Sequence, residues 1–194
     1  MTTPTIYIVD DDEAVRQSLS QLLENADLNV KAFSDGESFL DACDSDCNGC
    51  VLLDMMMPGM SGKEVQLKLA ENNNHVPVII LTGAGDVPMA VQAMKSGAVD
   101  FLEKPVDGML LLQKVFQCLT SQQKKIEQSE RENSLTSRER EVLQLMLDGL
   151  SSKEIARQLN ISNRTIEVHR AHILYKMGAK NSVQLAQIFS SSQE

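Results

Sequence analysis

Residues 51–62 read VLLDMMMPGMSG, and this stretch decides the fold of the first part of the chain. An apolar run ends at one carboxylate, Asp54, and a Pro-Gly turn and a second glycine follow it. A run that is apolar on both faces is typical of a buried strand in a parallel sheet, and such sheets bind ligands at the carboxyl ends of their strands. We therefore expect Asp54 at the mouth of a binding site. The alternative is an aspartate that only caps the turn after it.

Strand and helix patterns alternate on both sides of this stretch. Apolar or alternating runs predict strands at 5–9, 28–33, 51–54, 77–81 and 99–102. Helical periodicity predicts helices that start at Glu13 and Gly62 and helices at 35–42, 86–97 and 107–119. In the helix from Gly62, Val65, Leu67 and Leu69 are expected on or beside the buried face. Parallel strands need right-handed helical crossovers, so the alternation predicts an α/β domain with a five-stranded, doubly wound parallel sheet.

Four of these strands end in a reactive polar side chain. Asp10 and Asp11 follow the first strand, Asp54 ends the third, Thr82 the fourth, and Lys104 follows the fifth. Because the carboxyl ends of parallel strands meet at one edge of the sheet, we expect these side chains to lie close together.

The predicted acidic group favours a magnesium site. At 4 Å and a surface-like dielectric, each pair of carboxylates repels by on the order of 4 kcal/mol, and a divalent cation removes this penalty. Oxygen ligands, few of them from protein, favour Mg²⁺ over Ca²⁺, and zinc would need His or Cys ligands. With Lys104 and Thr82 beside it, the site suits a phosphoryl group that is attacked by a carboxylate oxygen.

Charge is divided unevenly along the chain, which favours two domains. Residues 1–122 hold 18 acidic and 7 basic residues, a net charge of −11, whereas residues 123–194 hold 9 and 11, a net charge of +2. We predict a first domain at 1–120, a linker at 121–134 and a second domain at 135–194. The linker is polar, and it is either a solvated extension of the preceding helix or a flexible tether.

The second domain is predicted to be a small helical bundle. Thr136 and Glu139 have the spacing of a capping box, and glycines end the predicted helices near 149 and 178. Residues 151–180 carry six basic and two acidic residues, a local excess of positive charge in an acidic protein. This excess indicates a polyanionic partner for this part of the chain.

Residues 1–120 resemble the receiver domain of bacterial two-component response regulators, which is flavodoxin-like. The stretches LTG at 81–83 and VDFLEKP at 99–105 are similar to the FixJ type. The resemblance implies that a histidine kinase phosphorylates Asp54 and that Thr82 and Lys104 contact the phosphoryl oxygens. It also implies that Asp11, Asp54 and the Met56 carbonyl bind Mg²⁺, with Asp10 assisting through water. Thr82 and Phe101 would form a switch, and the Lys104-Pro105 bond would be cis. Phosphorylation would cause homodimerisation through the face formed by residues 86–103.

Residues 135–185 are similar to the LuxR/NarL type of helix-turn-helix, on the stretches LTSRER (135–140), GLSSKEIARQL (149–159) and ISNRTIEVHRAHILYKMGAKNS (161–182). A second helix in the major groove reads bases from its first turns while basic side chains hold phosphates. We expect base contacts from Glu167, Val168, Arg170 and Ala171, and backbone contacts from Lys153, Arg164, Thr165 and Lys176. Double-stranded DNA is the expected partner, bound by dimers, with RNA polymerase as a further possible partner.

The resulting hypothesis is a cytoplasmic transcription regulator, not an enzyme, that is switched by phosphorylation of Asp54. One alternative is a small phosphatase of the haloacid dehalogenase kind, since Asp10-x-Asp12, Thr82 and Lys104 resemble three of its motifs. Another is an interaction module that binds partners without phosphate.

Three further features of the sequence have a possible functional interpretation and an ordinary one. Cys43, Cys47 and Cys50 have a spacing that could hold a metal or cluster, although inert cysteines are the default. His169 and His172 could bind a metal, but ordinary core and surface positions are expected. No apolar stretch is long enough to cross a bilayer, so we expect no membrane partner.

Overall fold

A computed structural model describes residues 3–43, 47–83, 91 and 93–190. The chain divides into two compact units, Met1–Gln122 and Gln123–Glu194. Each unit is built around its own apolar core.

The first unit contains the predicted five-stranded parallel sheet, and that prediction is confirmed. The strands are β1 (Thr5–Val9), β2 (Asn29–Phe33), β3 (Gly49–Asp54), β4 (Val78–Thr82) and β5 (Asp100–Glu103). All neighbours are parallel, in the order β2-β1-β3-β4-β5. Every residue of β3 is buried, as a central strand covered on both faces requires.

Four helices of the first unit have the bounds α1 (Glu13–Glu24), α2 (Gly36–Ala42), α3 (Gly62–Glu71) and α4 (Gly108–Asn133). Polar side chains start three of them: Asp12 caps α1, Asp35 caps α2, and Ser61 forms a capping box with Glu64 at α3. The start of the helix predicted at 86–97, including Asp86 and Met89, lies outside the described residues, and residues 93–95 are helical.

The two faces of the sheet carry separate apolar clusters. Side chains of α1 and α4, such as Leu23 and Leu111, pack on one face, and side chains of α2 and α3, such as Phe39 and Val65, pack on the other. The prediction that Leu67 lies on or beside the buried face of α3 is wrong, because 48 % of this residue is exposed. Two positions after Val65, it points to the opposite side of α3.

The second unit is helical, as predicted. It contains the end of α4 from residue 123, followed by α5 (Ser137–Leu147), α6 (Ser152–Gln158), α7 (Asn163–Met177) and α8 (Ser182–Ser190). Buried residues on one side of α6 and α7, among them Ile155, Ile166 and Ile173, form its core with Val142 of α5. Residues 121–133 continue α4 as helix, which is one of the two conformations that the sequence leaves open.

Across the described residues, no helix combines the length and the apolar character that a bilayer span needs.

Candidate functional site

Strand register brings three acidic side chains to one edge of the sheet. Val9 pairs with Leu53, so the residues that follow each of them, Asp10 and Asp54, lie side by side. One carboxylate oxygen from each of Asp10, Asp11 and Asp54 lies within 4.8 Å of the others. Asp10 and Asp54 are buried, whereas Asp11 is exposed, so the acidic pocket opens to solvent on the Asp11 side.

Lys104 joins the two buried acids. Its Nζ lies 2.7 Å from Asp10 Oδ2 and 2.8 Å from Asp54 Oδ2. The backbone at Lys104 is anchored because its amide donates to the Thr82 carbonyl at 2.7 Å, and the Lys104-Pro105 bond is cis. The structure therefore brings together an amine and two acids from three separate strand ends.

The remaining oxygens of the two buried acids face backbone amides. The Met56 amide donates to Asp54 Oδ1 at 3.2 Å, and the Asp12 amide donates to Asp10 Oδ1 at 3.0 Å. These bonds fix both carboxylates, so their positions do not depend on Lys104 alone.

Two residues support this pocket through contacts that the sequence did not predict. A Cβ on Gly62 would lie 2.3 Å from the Asp54 carbonyl oxygen, so only glycine lets α3 start this close to the acidic strand end. Arg16 of α1 donates through Nη1 to the Asp10 carbonyl at 2.7 Å. The glycine in the opening stretch was visible as a helix start, but no local pattern predicts the Arg16 contact.

Burial and neighbouring charges shift the pKa values of Asp10 and Lys104 in opposite directions. Burial raises the pKa of Asp10, and hydrogen bonds from Lys104 and from the Asp12 amide only partly offset this effect. Burial also lowers the pKa of Lys104, but the hydrogen bonds and charges of Asp10 and Asp54 outweigh it, and the net pKa is raised. Lys104 is therefore an ammonium ion at neutral pH.

The donor set fits a hard divalent cation. When all three carboxylates are ionised, the single Lys104 ammonium leaves two formal negative charges in the pocket. All-oxygen ligands with an open, exposed side suit Mg²⁺, which keeps several water ligands. Within the described ranges, Asp10, Asp11 and Asp54 form the one cluster of three or more acidic, His or Cys side chains that could hold a metal.

The cysteines do not converge as metal ligands. Cys43 and Cys47 form a disulfide, while Cys50 is fully buried in β3, and the Cys50 thiol pKa is raised by its hydrogen bond to Cys118 and by burial. The metal or cluster interpretation of their spacing has no support in this geometry.

Thr82 and Phe101 lie on neighbouring strands beside the acids. Thr82, at the end of β4, is buried, and its Oγ1 donates to the Gly83 carbonyl at 3.4 Å. Phe101 lies on β5 at the edge of the sheet, and 43 % of it is exposed, so it is not an ordinary core aromatic in this structure. Val99 and Met94, which belong to the 86–103 face, are also partly exposed.

In the second unit, the first turns of α7 form an exposed polar surface. Ser162 caps α7 by accepting from the Thr165 amide at 3.1 Å, and Ile166, Ile173 and Met177 anchor the opposite side in the core. The predicted contact residues on the outer side are exposed: Arg164, Thr165, Glu167, Val168 and Ala171, together with Lys153 on α6. Arg170 is half-buried and donates through Nη2 to Ser182 Oγ at 2.9 Å.

Among the predicted DNA contacts, Lys176 is paired with a buried acid of its own unit. Lys176 Nζ lies 2.7 Å from Glu139 Oε2 and donates to the Ser134 carbonyl at 3.0 Å. Glu139 is buried, and hydrogen bonds from Lys176 and from the Thr136 amide lower its pKa to about 2. The sequence predicted the Thr136–Glu139 capping box, which is present, but not the ion pair.

The two histidines of α7 lie apart from any metal-binding arrangement in the described residues. His172 is exposed, and its Nδ1 is 3.8 Å from Glu139 Oε1. His169 is half-buried. These are the ordinary helix positions that the sequence favours.

Comparisons with known families and proteins agree with the acidic pocket of the first unit and with the exposed helix surface of the second. Residues 6–116 match the response regulator receiver domain, and residues 133–189 match the luxR family of bacterial regulatory proteins. The chain is 42% identical over 191 residues to the transcriptional regulatory protein FixJ of Bradyrhizobium diazoefficiens, covering 94% of this chain and 93% of that protein. It is 40% identical over 195 residues to FixJ of Rhizobium meliloti, covering 97% and 96%.

Solved structures show the same similarity. The response regulator StyR matches with a TM-score of 0.60 and 37% identity, over 98% of this chain and 100% of StyR. Full-length FixJ from B. japonicum matches with a TM-score of 0.57 and 40% identity, over 97% and 96%. The resemblance that the sequence motifs indicate is confirmed over both domains. The chain therefore belongs to the two-component response regulators, with a receiver domain and a LuxR-type DNA-binding domain as in FixJ, and it regulates transcription.

Proposed function

We propose that Asp54 is the phosphoacceptor and that its phosphorylation by a sensor histidine kinase controls DNA binding by α7. The observation that carries the proposal is the position of Lys104, whose amine contacts both Asp54 and Asp10. A phosphoryl group on Asp54 would bring about −1.5 to −2 charges to a point beside the Lys104 ammonium, with Thr82 at the end of the neighbouring strand.

The transfer is a substitution at phosphorus. An Asp54 carboxylate oxygen forms the new P–O bond, the bond from phosphorus to the kinase histidine nitrogen breaks, and the nitrogen keeps the electron pair. The Met56 amide holds one Asp54 oxygen in place, and Lys104 balances the charge of the transferred oxygens. Asp11, Asp54 and the Met56 carbonyl, with Asp10 assisting through water, would hold Mg²⁺, which would supply further positive charge next to the phosphoryl group.

The switch depends on movement of Thr82 and Phe101. A charged group on Asp54 draws the Thr82 hydroxyl toward it, which changes the space beside β5 and lets the exposed Phe101 ring turn inward. The exposed apolar side chains of the 86–103 face, Val91, Met94, Val99 and Phe101, support homodimerisation through this face.

The dimer then presents two copies of α7 to DNA, with base contacts from Glu167, Val168, Arg170 and Ala171. Lys153 and Arg164 contact phosphates from exposed positions. The exposed Thr165 hydroxyl is hydrogen-bonded to Ser162 Oγ at 2.7 Å, and Lys176 would have to contact DNA while it keeps its bond to Glu139. RNA polymerase is a further partner of a DNA-bound dimer, which we place in the cytoplasm.

Intact mass measured after incubation with acetyl phosphate and Mg²⁺ tests the phosphoacceptor. The wild-type chain and Asp10→Asn should gain one phosphoryl group, Asp10→Asn more slowly, and Asp54→Asn should gain none. Labelling that needs Asp10 but not Asp54 would instead indicate the phosphatase alternative. A wild-type chain that is never labelled would favour the phosphate-independent interaction module.

A further inference from the structure

Two helix ends meet in the second unit, and each one supplies a cation to the other. Helix α4 ends at Asn133, and helix α7 ends at Met177. Arg131 of α4 donates through Nη1 to the Met177 carbonyl at 3.4 Å, and Lys176 of α7 donates through Nζ to the Ser134 carbonyl at 3.0 Å. The last carbonyls of a helix lack partners within that helix, so both contacts satisfy groups that otherwise need water.

Charge favours this reciprocal arrangement. The carboxyl end of a helix carries a partial negative charge, and a cation at this end is stabilising. Lys176 also pairs with the buried Glu139, which ties α4, α5 and α7 together at one point. Arg140 of α5 adds a bond from Nη2 to the Asn133 carbonyl at 3.4 Å.

The glycine that ends α7 lies beside the Arg131 guanidinium. Gly178 follows α7 with a φ of +68°, and a Cβ at this position would lie 3.1 Å from Arg131 Nη1. The glycine that ends α7 therefore also leaves room for the guanidinium. About half of the Arg131 side chain is exposed, and its ion pair with Glu127, at 3.8 Å, lies within α4. The bond to Met177 is thus its contact with α7.

We propose that Arg131 is a positioning residue for DNA recognition. It fixes the carboxyl end of α7 against the last turn of α4, so the folded state of that turn sets the orientation of α7. The proposal rests on the proposed role of α7 as the recognition helix. On this proposal, residues 123–133 are a structural part of the unit that binds DNA. Unfolding or displacement of the last turn of α4 then changes the orientation of α7, the helix that reads bases.

Hydrogen exchange on the full-length chain tests the contact without DNA. Arg131→Gln should raise the exchange rates of the amides at 174–178 by about threefold or more, because the end of α7 loses a charged hydrogen bond. Lys125→Gln is the matched control, since it removes the same charge from α4 at a position that forms no ion pair with any described residue. Arg131→Lys should restore part of the protection, and circular dichroism checks that each variant is folded.

DNA binding then separates positioning from phosphate contact. The probes are a duplex that the wild-type chain selects from a random-sequence pool and a scrambled duplex of equal length. Arg131→Gln should weaken binding to the selected duplex by about tenfold, while binding to the scrambled duplex and the salt slope change little. Arg170→Ala, measured on the same duplexes, tests the premise that α7 reads bases.

Two results would overturn the proposal. Exchange and specific affinity both within about twofold of wild type would show that Arg131 does not position α7. An equal loss on both duplexes, with the salt slope reduced by about one, would make Arg131 a phosphate contact. If Arg170→Ala binds the selected duplex like wild type, the recognition-helix assignment fails, and the exchange result still reports on the Arg131 contact.

Discussion

Lys104 Nζ lies 2.8 Å from Asp54 Oδ2, so the proposed phosphoacceptor is paired with an ammonium ion before any phosphoryl group arrives. The same amine contacts Asp10, the second buried acid of the pocket. A divalent cation held by these carboxylates would therefore neutralise the same charges as Lys104, and we expect the two to act against each other in the unphosphorylated protein.

This relationship predicts that Lys104→Met binds Mg²⁺ more tightly than wild type. Removing one positive charge from the pocket leaves the carboxylates more negative, and we expect a gain in affinity of about tenfold. Isothermal titration calorimetry of the unphosphorylated chain measures it. Lys114→Met is the control, because Lys114 pairs with Asp100 outside the pocket. Equal or weaker binding by Lys104→Met would contradict the shared role of the two acids.

Gly62→Ala should damage the pocket through the backbone. The new Cβ would meet the Asp54 carbonyl at 2.3 Å, and a backbone atom has little freedom to move aside. We expect a loss of about 1–3 kcal/mol in the free energy of unfolding and slower labelling by acetyl phosphate. Urea unfolding and intact mass measure the two effects.

Gly108→Ala is the matched control for that substitution. Its Cβ would approach only the flexible Leu22 side chain, at 3.1 Å, and alanine favours the start of α4. We expect near wild-type stability and labelling. A Gly62→Ala protein as stable and as readily labelled as this control would show that the close approach of α3 is not required.

The sequence predicted those parts of the structure that are encoded locally. The apolar run before Asp54 predicted the buried strand, and the polar residues after four strands predicted the acidic pocket. The Lys176–Glu139 pair spans 37 residues and has no local pattern, so the sequence did not predict it, and the DNA contact of Lys176 stays a prediction. The contacts of Gly62 and Arg131 were missed for the same reason, because they depend on how separate segments pack.

The Glu139 pair predicts a specific dependence of stability on pH. The pKa of Glu139 falls from 4.5 to about 2 on folding, so its contribution is complete above pH 4.5 and is lost progressively as the pH falls toward 2. We expect this contribution to be about 2 kcal/mol, because Lys176 is partly exposed and solvent screens the pair.

Urea unfolding of Glu139→Gln between pH 2 and pH 7 checks this prediction. The variant should be less stable than wild type at pH 7, and the difference should shrink as the pH falls below 4.5. Glu141→Gln on the same helix is the control, since Glu141 is exposed and pairs only at the surface with Arg138. A difference that stays constant with pH would refute the assignment to Glu139.

Dimerisation through the 86–103 face predicts that Val99→Asp stays monomeric in beryllofluoride, which mimics the phosphoryl group. Val99 is 49% exposed, and a charge there opposes burial against a second copy. Leu67→Asp is the control, because Leu67 is an apolar residue of α3 with a similar exposure, 48%, and lies outside residues 86–103. Light scattering after gel filtration should find dimers of wild type and Leu67→Asp. Dimer formation by Val99→Asp would exclude this face as the dimer interface.

The central claim, that a phosphoryl group on Asp54 controls DNA reading, is tested most directly by one binding titration. The affinity for a duplex selected by the activated protein is measured for wild type and Asp54→Asn, each with and without acetyl phosphate and Mg²⁺. We predict that acetyl phosphate strengthens binding by wild type about tenfold or more and leaves Asp54→Asn unchanged. Equal strengthening of both proteins, or of neither, would contradict the account.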